Sequence, residues 1–397
     1  MKFDDIDTPA ALIDVSRMER NIARMQRKMD SLGVAFRPHV KTSKCVEVVH
    51  AQIAAGARGI TVSTLKEAEA FFAAGVTDIL YAVSIVPTKL ERALALRRRG
   101  CDLKLIVDNV PAARAIGEFG RAHGEAFEVW IEIDTDGHRS GIVPEDALLL
   151  DVGHALHDGG VRVGGVLTHA GSSYELNTPA ALAALAEQER AGCVRAAERL
   201  RAAGLPCAVV SVGSTPTALY AEHLDGVTEV RAGVYVFFDL VMHNVGVCTT
   251  DDLALSVLTT VIGHQPDKGW AIVDAGWMAM SRDRGTAKQA HDFGYGLLCL
   301  ADGTPLPAFT MSGANQEHGI VCATGDAAAA SPDAANVPGV SNATSATSAA
   351  DIVARLPIGT KLRILPNHAC ATGAQFPEYQ ALSADGEAHT WARFHGW

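Results

Sequence analysis

The sequence predicts a (β/α)8 barrel of the TIM type followed by a mainly antiparallel β domain. From residue 34 to about 236, short β-branched runs alternate with Ala-rich helical stretches, as parallel strands joined by helical crossovers require. Each strand run is almost continuously apolar, which is typical of strands covered on both faces. After about residue 250, strand-like runs follow one another with little helix between them.

Eight βα units favour a closed barrel, because eight parallel strands with helical crossovers complete one; an open, doubly wound sheet is the alternative. The predicted strands are Val34–Val40, Gly59–Ser63, Ile79–Val83, Leu103–Val107, Phe127–Ile133, Arg162–His169, Ala208–Gly213 and Glu229–Val236. The predicted helices between them include Thr64–Ala74, Val86–Arg98, Pro111–His123 and Thr178–Ala203.

The predicted domain bounds are residues 12–245 for the barrel and residues 1–11 with 246–397 for the β domain. The β domain has predicted strands at Leu253–Gly263, Trp270–Val273, Leu362–Leu365 and His389–Phe394. Residues 326–350 are rich in Ala, Ser, Thr, Asn and Pro and almost lack large apolar side chains. Such a segment buries too little surface to order itself, so we predict a flexible insertion there.

Composition restricts the partners and the location. The net charge is −11 and no basic stripe is present, which argues against a nucleic-acid partner. The N-terminus has no apolar signal region, and no apolar run approaches membrane-spanning length. Eight cysteines without repeated spacing are typical of reduced thiols. We therefore expect a soluble, cytoplasmic protein without a membrane partner.

Polar side chains follow five of the predicted barrel strands. Barrel enzymes build their active sites at the carboxyl ends of the strands, so these side chains predict a site. The five segments are His39–Lys41, Asp134–Gly141, Thr168–Tyr174, Ser211–Thr217 and Arg231–Tyr235.

Lys41 is the candidate nucleophile of this site. It ends the first strand among Arg37, His39 and Lys44, and an amine among cations loses its proton more easily. A nucleophilic lysine at that place suggests a Schiff base with a carbonyl cofactor. Lys44 competes on chemistry alone, and most lysines are solvated surface groups.

The segment after strand seven predicts a phosphate site. Gly213 lets the backbone approach an anion, and Ser214 and Thr215 offer hydroxyl and amide donors ahead of a short helix. Barrels often bind phosphate after strands seven and eight, where Gly233 and Tyr235 also lie. The alternative is an ordinary helix cap with proline in the first turn. A lysine nucleophile and a phosphate site together predict pyridoxal 5′-phosphate (PLP).

The sequence resembles the fold-type III PLP enzymes, the alanine-racemase-like barrels, and among them the branch of D-threonine aldolases and D-serine dehydratases. The resemblance extends from Asp7-Thr8-Pro9 through Arg-Pro-His-x-Lys to Leu365–Cys370, and only residues 326–350 lie clearly outside it. It implies that Lys41, and not Lys44, binds PLP and later acts as the base at Cα. It also implies a homodimer.

The resemblance assigns further cofactor contacts. His169 would stack on the pyridine ring, although a lone histidine there is more often a satisfied core residue. Arg139 would lie near the phenolic oxygen of PLP. Tyr174 is the preferred partner of the pyridine nitrogen, while the racemases place an arginine near Arg231. The phosphate would be held by Gly213, Ser214, Thr215, Gly233 and Tyr235.

His368 and Cys370 form a candidate metal pair. Alternate residues of a strand face the same side, so imidazole and thiolate could bind one ion and leave other positions open. Alone the pattern is weak, since free cysteines are commonly buried and inert. The resemblance strengthens it, because the dehydratase branch holds its metal on such a pair and the aldolases usually show His-x-Asp. Cys370 favours zinc or a similar ion over magnesium, with zinc, manganese, magnesium and cobalt all open.

The resemblance thus implies a PLP- and metal-dependent dehydratase, an ammonia-lyase acting on 3-hydroxy-D-amino acids. 3-Hydroxyaspartate would give oxaloacetate and ammonia, and D-serine would give pyruvate. The alternative is an aldolase that yields glycine and an aldehyde. A racemase would need a tyrosine base, and no clear tyrosine motif follows residue 250. Candidate cations for the second carboxylate of 3-hydroxyaspartate are Lys44, Arg139, Arg282, Arg284 and His318.

Overall fold

The computed structural model of the protein describes residues 1–324 and 349–397. Residues 326–348 of the predicted flexible insertion lie outside this described part. By their contacts the described residues divide into a β unit, Met1–Arg20 with Val236–Arg393, and a barrel unit, Asn21–Tyr235 with Phe394–Trp397. No helix in the described part is long and apolar enough to cross a membrane.

Strands and helices are numbered here in chain order. The strands are β1 (Ala10–Asp14), β2 (Ala35–Phe36), β3 (Ile60–Val62), β4 (Asp78–Tyr81), β5 (Asp102–Val107), β6 (Glu128–Ile133), β7 (Arg162–Thr168), β8 (Val209–Val212), β9 (Glu229–Val230), β10 (Leu255–Gln265), β11 (Trp270–Val273), β12 (Leu297–Leu300), β13 (Pro305–Ala314), β14 (Gly319–Ala323), β15 (Lys361–Leu365), β16 (Glu378–Leu382) and β17 (Ala388–Ala392). The α-helices are α1 (Val15–Ser31), α2 (Val46–Ala54), α3 (Leu65–Ala73), α4 (Leu90–Arg98), α5 (Val110–His123), α6 (Leu148–Asp158), α7 (Pro179–Ala202), α8 (Thr215–Tyr220), α9 (Leu240–Val245), α10 (Trp277–Met280), α11 (Ala349–Arg355) and α12 (Ala369–Gly373).

The barrel unit has a parallel sheet of eight strands in the order β2-β9-β8-β7-β6-β5-β4-β3. A parallel bridge between His39 and Thr61 joins the two ends of this order and closes the sheet. The predicted (β/α)8 barrel is confirmed, and the open, doubly wound alternative is wrong.

The first barrel strand is shorter than predicted. Only Ala35 and Phe36 pair regularly with β9. Beyond them the chain lies between β3 and the segment that follows β9. The His39 N–H donates to Ala232 O after β9, whereas the Val40 N–H donates to Thr61 O in β3. Pro38 has no N–H to continue a ladder, so the regular strand stops and the closing contact becomes a single bridge.

The β unit has a second sheet in the order β11-β14-β13-β12-β15-β10-β1-β16-β17. The first six of these strands close on themselves through an added pairing of β10 with β11. All its pairs are antiparallel except β1 with β16, which confirms the predicted β domain. The first residues belong to it, because Ile6 and Leu12 pack with Leu258 and Ala388.

The unit bounds differ from the predicted domain bounds after the barrel. The sequence predicted the change at residue 245, whereas the contacts change at Val236. The N–H groups of Leu240 and Val241 donate to Pro366 O and Asn367 O, both in the β unit. These hydrogen bonds place α9 with the β sheet, a pairing over more than a hundred residues that local sequence does not reveal.

Candidate functional site

Lys41 lies exposed in the turn that follows the closing bridge of the barrel, at the carboxyl end of the first strand. Its neighbour His39 has a pKa well below 6.5, because its ring is desolvated and lies near the positive charges of Lys41 and Arg231. The structure therefore presents a primary amine at the rim where the sequence predicted the nucleophile.

The predicted ring of three cations around Lys41 is not formed, because His39 is neutral and Arg37 and Lys44 pair with carboxylates. Arg37 is buried and bonds Glu229 at 3.0 Å and Asp78 at 2.7 Å. Lys44 bonds the buried Glu67 at 3.1 Å. The carboxylates that neutralise Arg37 and Lys44 lie on other strands and helices, so proximity in the sequence did not reveal these ion pairs. The cations that act on the site are Arg139 and Arg231, which with Lys41 lower the pKa of both His39 and His169.

His169 follows β7 and is held by the segment after β8. Its Nδ1 lies 3.0 Å from the carbonyl oxygen of Gly213, and a carbonyl can only accept, so Nδ1 bears the proton. Desolvation and the nearby cations lower its pKa to about 3. The ring is therefore neutral at neutral pH and leaves Nε2 as an acceptor. The Tyr174 ring lies 6.1 Å from it, so these two predicted cofactor contacts are adjacent.

Arg231, the alternative partner of the pyridine nitrogen, is buried and hydrogen-bonded inside the barrel. Its guanidinium donates to Ser211 Oγ at 2.5 Å and to Thr168 O at 2.6 Å. Burial lowers its pKa, partly offset by Glu229 and Glu189. Contact of the pyridine nitrogen with Tyr174 stays a prediction.

The segment after β8 combines a required glycine with a helix cap. Gly213 has φ +134°, and a Cβ there would lie 2.2 Å from Arg231 O, so only glycine fits. Ser214 is the N-cap of α8 and forms a capping box with Thr217, so the helix-cap interpretation is correct. The cap leaves room for the phosphate interpretation, because it uses the N–H groups of Ser214 and Thr217 and not that of Thr215.

These backbone donors fit a phosphate. Within residues 1–324 and 349–397, the N–H groups of Thr215 and Gly233 have no hydrogen-bond partner. Gly233 also permits close packing, because a Cβ there would lie 2.9 Å from His39 O. Together with the exposed amine of Lys41, this donor set fits PLP.

Tyr235 has a buried side chain and contacts the phosphate segment through its backbone. Its phenol is fully buried, accepts a hydrogen bond from Gln52 at 2.7 Å, and packs edge-on against Phe36. Burial raises the pKa of the phenol. Its backbone N–H donates to Thr215 Oγ1 at 3.2 Å, which supports the predicted phosphate segment from behind. A direct phosphate contact by Tyr235 stays a prediction.

Glu189 was missed by the sequence analysis. It lies on α7, only 1% exposed, and its Oε1 accepts from the N–H groups of Ala170 (2.9 Å) and Gly213 (3.0 Å). A signal was present, because Glu189 falls in register with Leu182, Leu185 and Cys193 on the apolar stripe of the helix. An acidic residue on such a stripe indicates a buried carboxylate with local partners.

His368 and Cys370 do not lie on a strand, and the prediction that they alternate along one is wrong. The strand β15 ends at Leu365, and Pro366, which has no N–H, follows it. His368 is the N-cap residue of α12 and Cys370 lies in its first turn. The two side chains are nevertheless hydrogen-bonded to each other, so imidazole and sulfur are adjacent.

Asp283 orients the imidazole of His368. Its Oδ2 lies 2.5 Å from Nδ1 of His368. Desolvation opposes the charged imidazole, but Asp283 and Cys370 outweigh it and raise the pKa of His368 to about 11. The two arginines beside Asp283 in the sequence have other partners, because Arg284 bonds Asp292 at 2.7 Å and Arg282 lies over the Trp277 ring at 4.0 Å.

This arrangement fits a metal ion with two protein ligands. A carboxylate on one ring nitrogen of histidine leaves the other for an ion, as is usual for metal-binding histidines. In the described part of the chain, no cluster of three or more His, Cys, Asp or Glu residues could hold a metal. A nitrogen and a sulfur ligand with open positions suit a borderline ion in a catalytic site.

Of the five candidate cations for a second substrate carboxylate, two are already engaged in ion pairs. Lys44 bonds Glu67 and Arg284 bonds Asp292. Arg139 is exposed, with its nearest carboxylate, Glu132, at 3.9 Å. Among the barrel candidates, Arg139 is therefore favoured over Lys44.

Two family models match this chain. The alanine racemase N-terminal domain matches residues 13–241, and the putative serine dehydratase domain matches residues 254–382. The chain belongs to the alanine-racemase-like family, in the group with the serine dehydratase type of second domain. This confirms the resemblance seen in the sequence.

The relatives place the chain within that group. It is 71% identical to the D-threo-3-hydroxyaspartate dehydratase of Delftia sp. (strain HT23), over 99% of this chain and 98% of the relative. It is 31% identical to a D-threonine aldolase of Arthrobacter sp., over 80% of each chain. The solved Delftia structure has 69% identity and a TM-score of 0.93 over 100% of both chains. Two further solved structures of a D-threo-3-hydroxyaspartate dehydratase, each 69% identical to this chain, are a cysteine mutant in the metal-free form and a histidine mutant.

Asp283→Asn should flatten the pH dependence of stability of the chelator-treated protein. Because the pKa of His368 is raised from 6.5 to about 11, its ion pair stabilises fully below pH 6.5 and is lost as the pH rises through about 11. We expect the thermal midpoint of the wild type to fall more over this range than that of the variant. Asp292→Asn, which removes a carboxylate bonded to Arg284, is the control and should keep the wild-type slope. Equal slopes for the wild type and Asp283→Asn would contradict the assignment.

Proposed function

We propose that the protein is a PLP- and divalent-metal-dependent dehydratase of 3-hydroxy-D-amino acids. Its best substrate would be D-threo-3-hydroxyaspartate, converted to oxaloacetate and ammonia, with D-serine as a second substrate. The observation on which the proposal chiefly depends is the His368–Cys370 pair with Asp283 behind it. The 71% identity to the Delftia dehydratase over the full chain supports the same conclusion.

The barrel unit would supply proton transfer and cofactor binding. PLP would provide the electron sink that stabilises negative charge at Cα. Lys41 would hold it covalently, and the freed amine would take the Cα proton at Nζ. His169, neutral and held by Gly213, suits stacking on an aromatic ring. The phosphate would lie against the N–H groups of Thr215 and Gly233, with Ser214 and Tyr235 in support.

The β unit would supply the metal. A divalent ion bound by His368 and Cys370 would act as a Lewis acid toward the β-hydroxyl, since hydroxide is otherwise a poor leaving group. Asp283 would keep the imidazole in a fixed orientation with one nitrogen free for the ion. The metal-free cysteine mutant solved for a D-threo-3-hydroxyaspartate dehydratase is consistent with such a role for a cysteine.

Aldol cleavage is the second candidate, because the same groups could remove the hydroxyl proton and break the Cα–Cβ bond. The similarity to a D-threonine aldolase is the observation in its favour. Cys370 argues for elimination, since the resemblance gives the aldolases a carboxylate at that place. The homodimer and the cytoplasmic location expected from the sequence stay predictions.

The reaction can be decided by product analysis. Incubated with D-threo-3-hydroxyaspartate or D-serine in the presence of PLP and a divalent metal, the protein should release ammonia and a 2-oxo acid in equal amounts. D-threonine should yield little glycine. The three products are measured separately, and glycine as the main product would overturn the dehydratase assignment in favour of the aldolase.

Lys41→Ala should abolish the visible absorbance of bound PLP and lower turnover by a factor on the order of 10³ or more, because it removes both the covalent link and the base. Lys44→Arg is the matched control, since arginine can keep the ion pair with Glu67. The control should retain both absorbance and turnover. Activity that survives in Lys41→Ala would refute the role of this lysine.

Cys370→Ala should silence elimination while PLP stays bound, and EDTA should do the same to the wild type, because both remove the metal. Cys322→Ala is the matched control, as both cysteines are half-buried in the β unit. The measurements are metal content, PLP absorbance and ammonia release. Full activity after chelation would count against the metal.

A further inference from the structure

We propose that Glu189 is a positioning residue of the cofactor site, whose single buried carboxylate fixes the two backbone segments that orient His169 and the phosphate loop. The inference rests on the proposed function for the identity of the cofactor as PLP. The side chain of Glu189 would act on PLP only indirectly, through the backbone N–H and hydroxyl groups that it binds.

One oxygen of Glu189 joins two loops of the barrel. Oε1 accepts from the Ala170 N–H after β7 at 2.9 Å and from the Gly213 N–H after β8 at 3.0 Å. Ala170 directly follows His169, and the carbonyl of Gly213 accepts the Nδ1–H of His169 at 3.0 Å. The imidazole is thus fixed through its own backbone and through its hydrogen-bond acceptor, and both lead to the same carboxylate.

A chain of hydroxyl groups extends the influence of Glu189 to the other cofactor contacts. The Thr217 hydroxyl hydrogen-bonds the carboxylate. Thr217 lies 3.0 Å from the Ser214 hydroxyl, which lies 2.9 Å from the Ser173 hydroxyl. Ser214 caps the helix of the phosphate segment, and Ser173 directly precedes Tyr174. Glu189 is therefore connected to the ring-stacking, phosphate and pyridine-nitrogen contacts together.

The burial of this carboxylate indicates a role in positioning. Desolvation raises the pKa of Glu189, and the hydrogen bonds from Thr217, Ala170 and Gly213 oppose that rise. A leucine at this place would extend the apolar stripe of α7, but it would leave two buried N–H groups without an acceptor. A carboxylate oxygen accepts both donors in one fixed geometry, which an apolar side chain cannot do.

Hydrogen exchange in the PLP-free protein tests the positioning directly. In Glu189→Ala, we expect faster amide exchange in peptides that contain Ala170 and Gly213, with other barrel strands unchanged. Glu189→Gln keeps an amide oxygen as acceptor and should restore most of the protection. Leu200→Ala, on the same helix and fully buried, is the control for a general loss of stability and should not affect these peptides selectively.

PLP binding gives the second readout. In Glu189→Ala the Kd for PLP should rise roughly 10- to 100-fold, as expected when two buried donors lose their acceptor. The induced circular dichroism of the bound cofactor should change shape, because the orientation of the His169 ring is released. Glu189→Gln should raise the Kd less than about 5-fold, since a neutral acceptor forms weaker bonds than a charged one. Leu200→Ala should keep the wild-type signal.

The outcomes separate this inference from the proposed function. If the wild type binds no PLP, the proposed function fails, while the exchange experiment still tests the positioning by Glu189. If the wild type binds PLP, and Glu189→Ala folds with unchanged exchange, Kd and dichroism, the inference is overturned. If Glu189→Ala does not fold, Glu189→Gln decides: a rise in the Kd for PLP of up to about 5-fold, with faster exchange in the peptides of Ala170 and Gly213, supports the inference, and wild-type Kd and exchange overturn it.

Discussion

The closing contact of the barrel, where His39 pairs with Thr61, is the constraint on which the predicted PLP site depends. Parallel strands place all their carboxyl ends at one rim, and this contact joins the segment after β2 to β3. On its other side the same segment meets the chain after β9, since a Cβ on Gly233 would lie 2.9 Å from His39 O. Lys41 follows two residues later. The same strand is anchored inside the barrel by Arg37, and breaking a buried ion pair of this kind typically costs about 3–5 kcal/mol.

The rim combines positively charged side chains with neutral histidines. Lys41, Arg139 and Arg231 act on two histidines whose pKa values are lowered, so both imidazoles stay neutral. Neutral rings add no positive charge and can pack on a flat aromatic cofactor, while the exposed cations Lys41 and Arg139 suit a phosphate and the carboxylates of a substrate. Glu189 is the buried carboxyl group behind this rim, and it accepts hydrogen bonds from backbone donors at the ends of β7 and β8.

The β unit uses carboxylates for a similar purpose around the predicted metal pair. Asp283 bonds the ring of His368, and the buried Asp239 accepts from the N–H of Ala369 between the two predicted ligands. The imidazole and the thiol are thus oriented by groups that local sequence does not connect with them. A fixed orientation matters because a site with only two protein ligands has few other constraints on its geometry.

The sequence by itself determined the architecture and predicted the types of residue in the proposed sites. The alternation of strand and helix runs predicted the barrel, and the polar ends of its strands made Lys41, His169 and Gly213 candidate site residues. These features are local and periodic, so a linear pattern contains them. The tertiary structure decided which groups meet. Arg37 and Lys44 bond distant carboxylates, His368 lies at a helix start with Asp283 on its ring, and Glu189 reaches two loops. Each of these contacts joins residues far apart in the chain, and their geometry is set by packing.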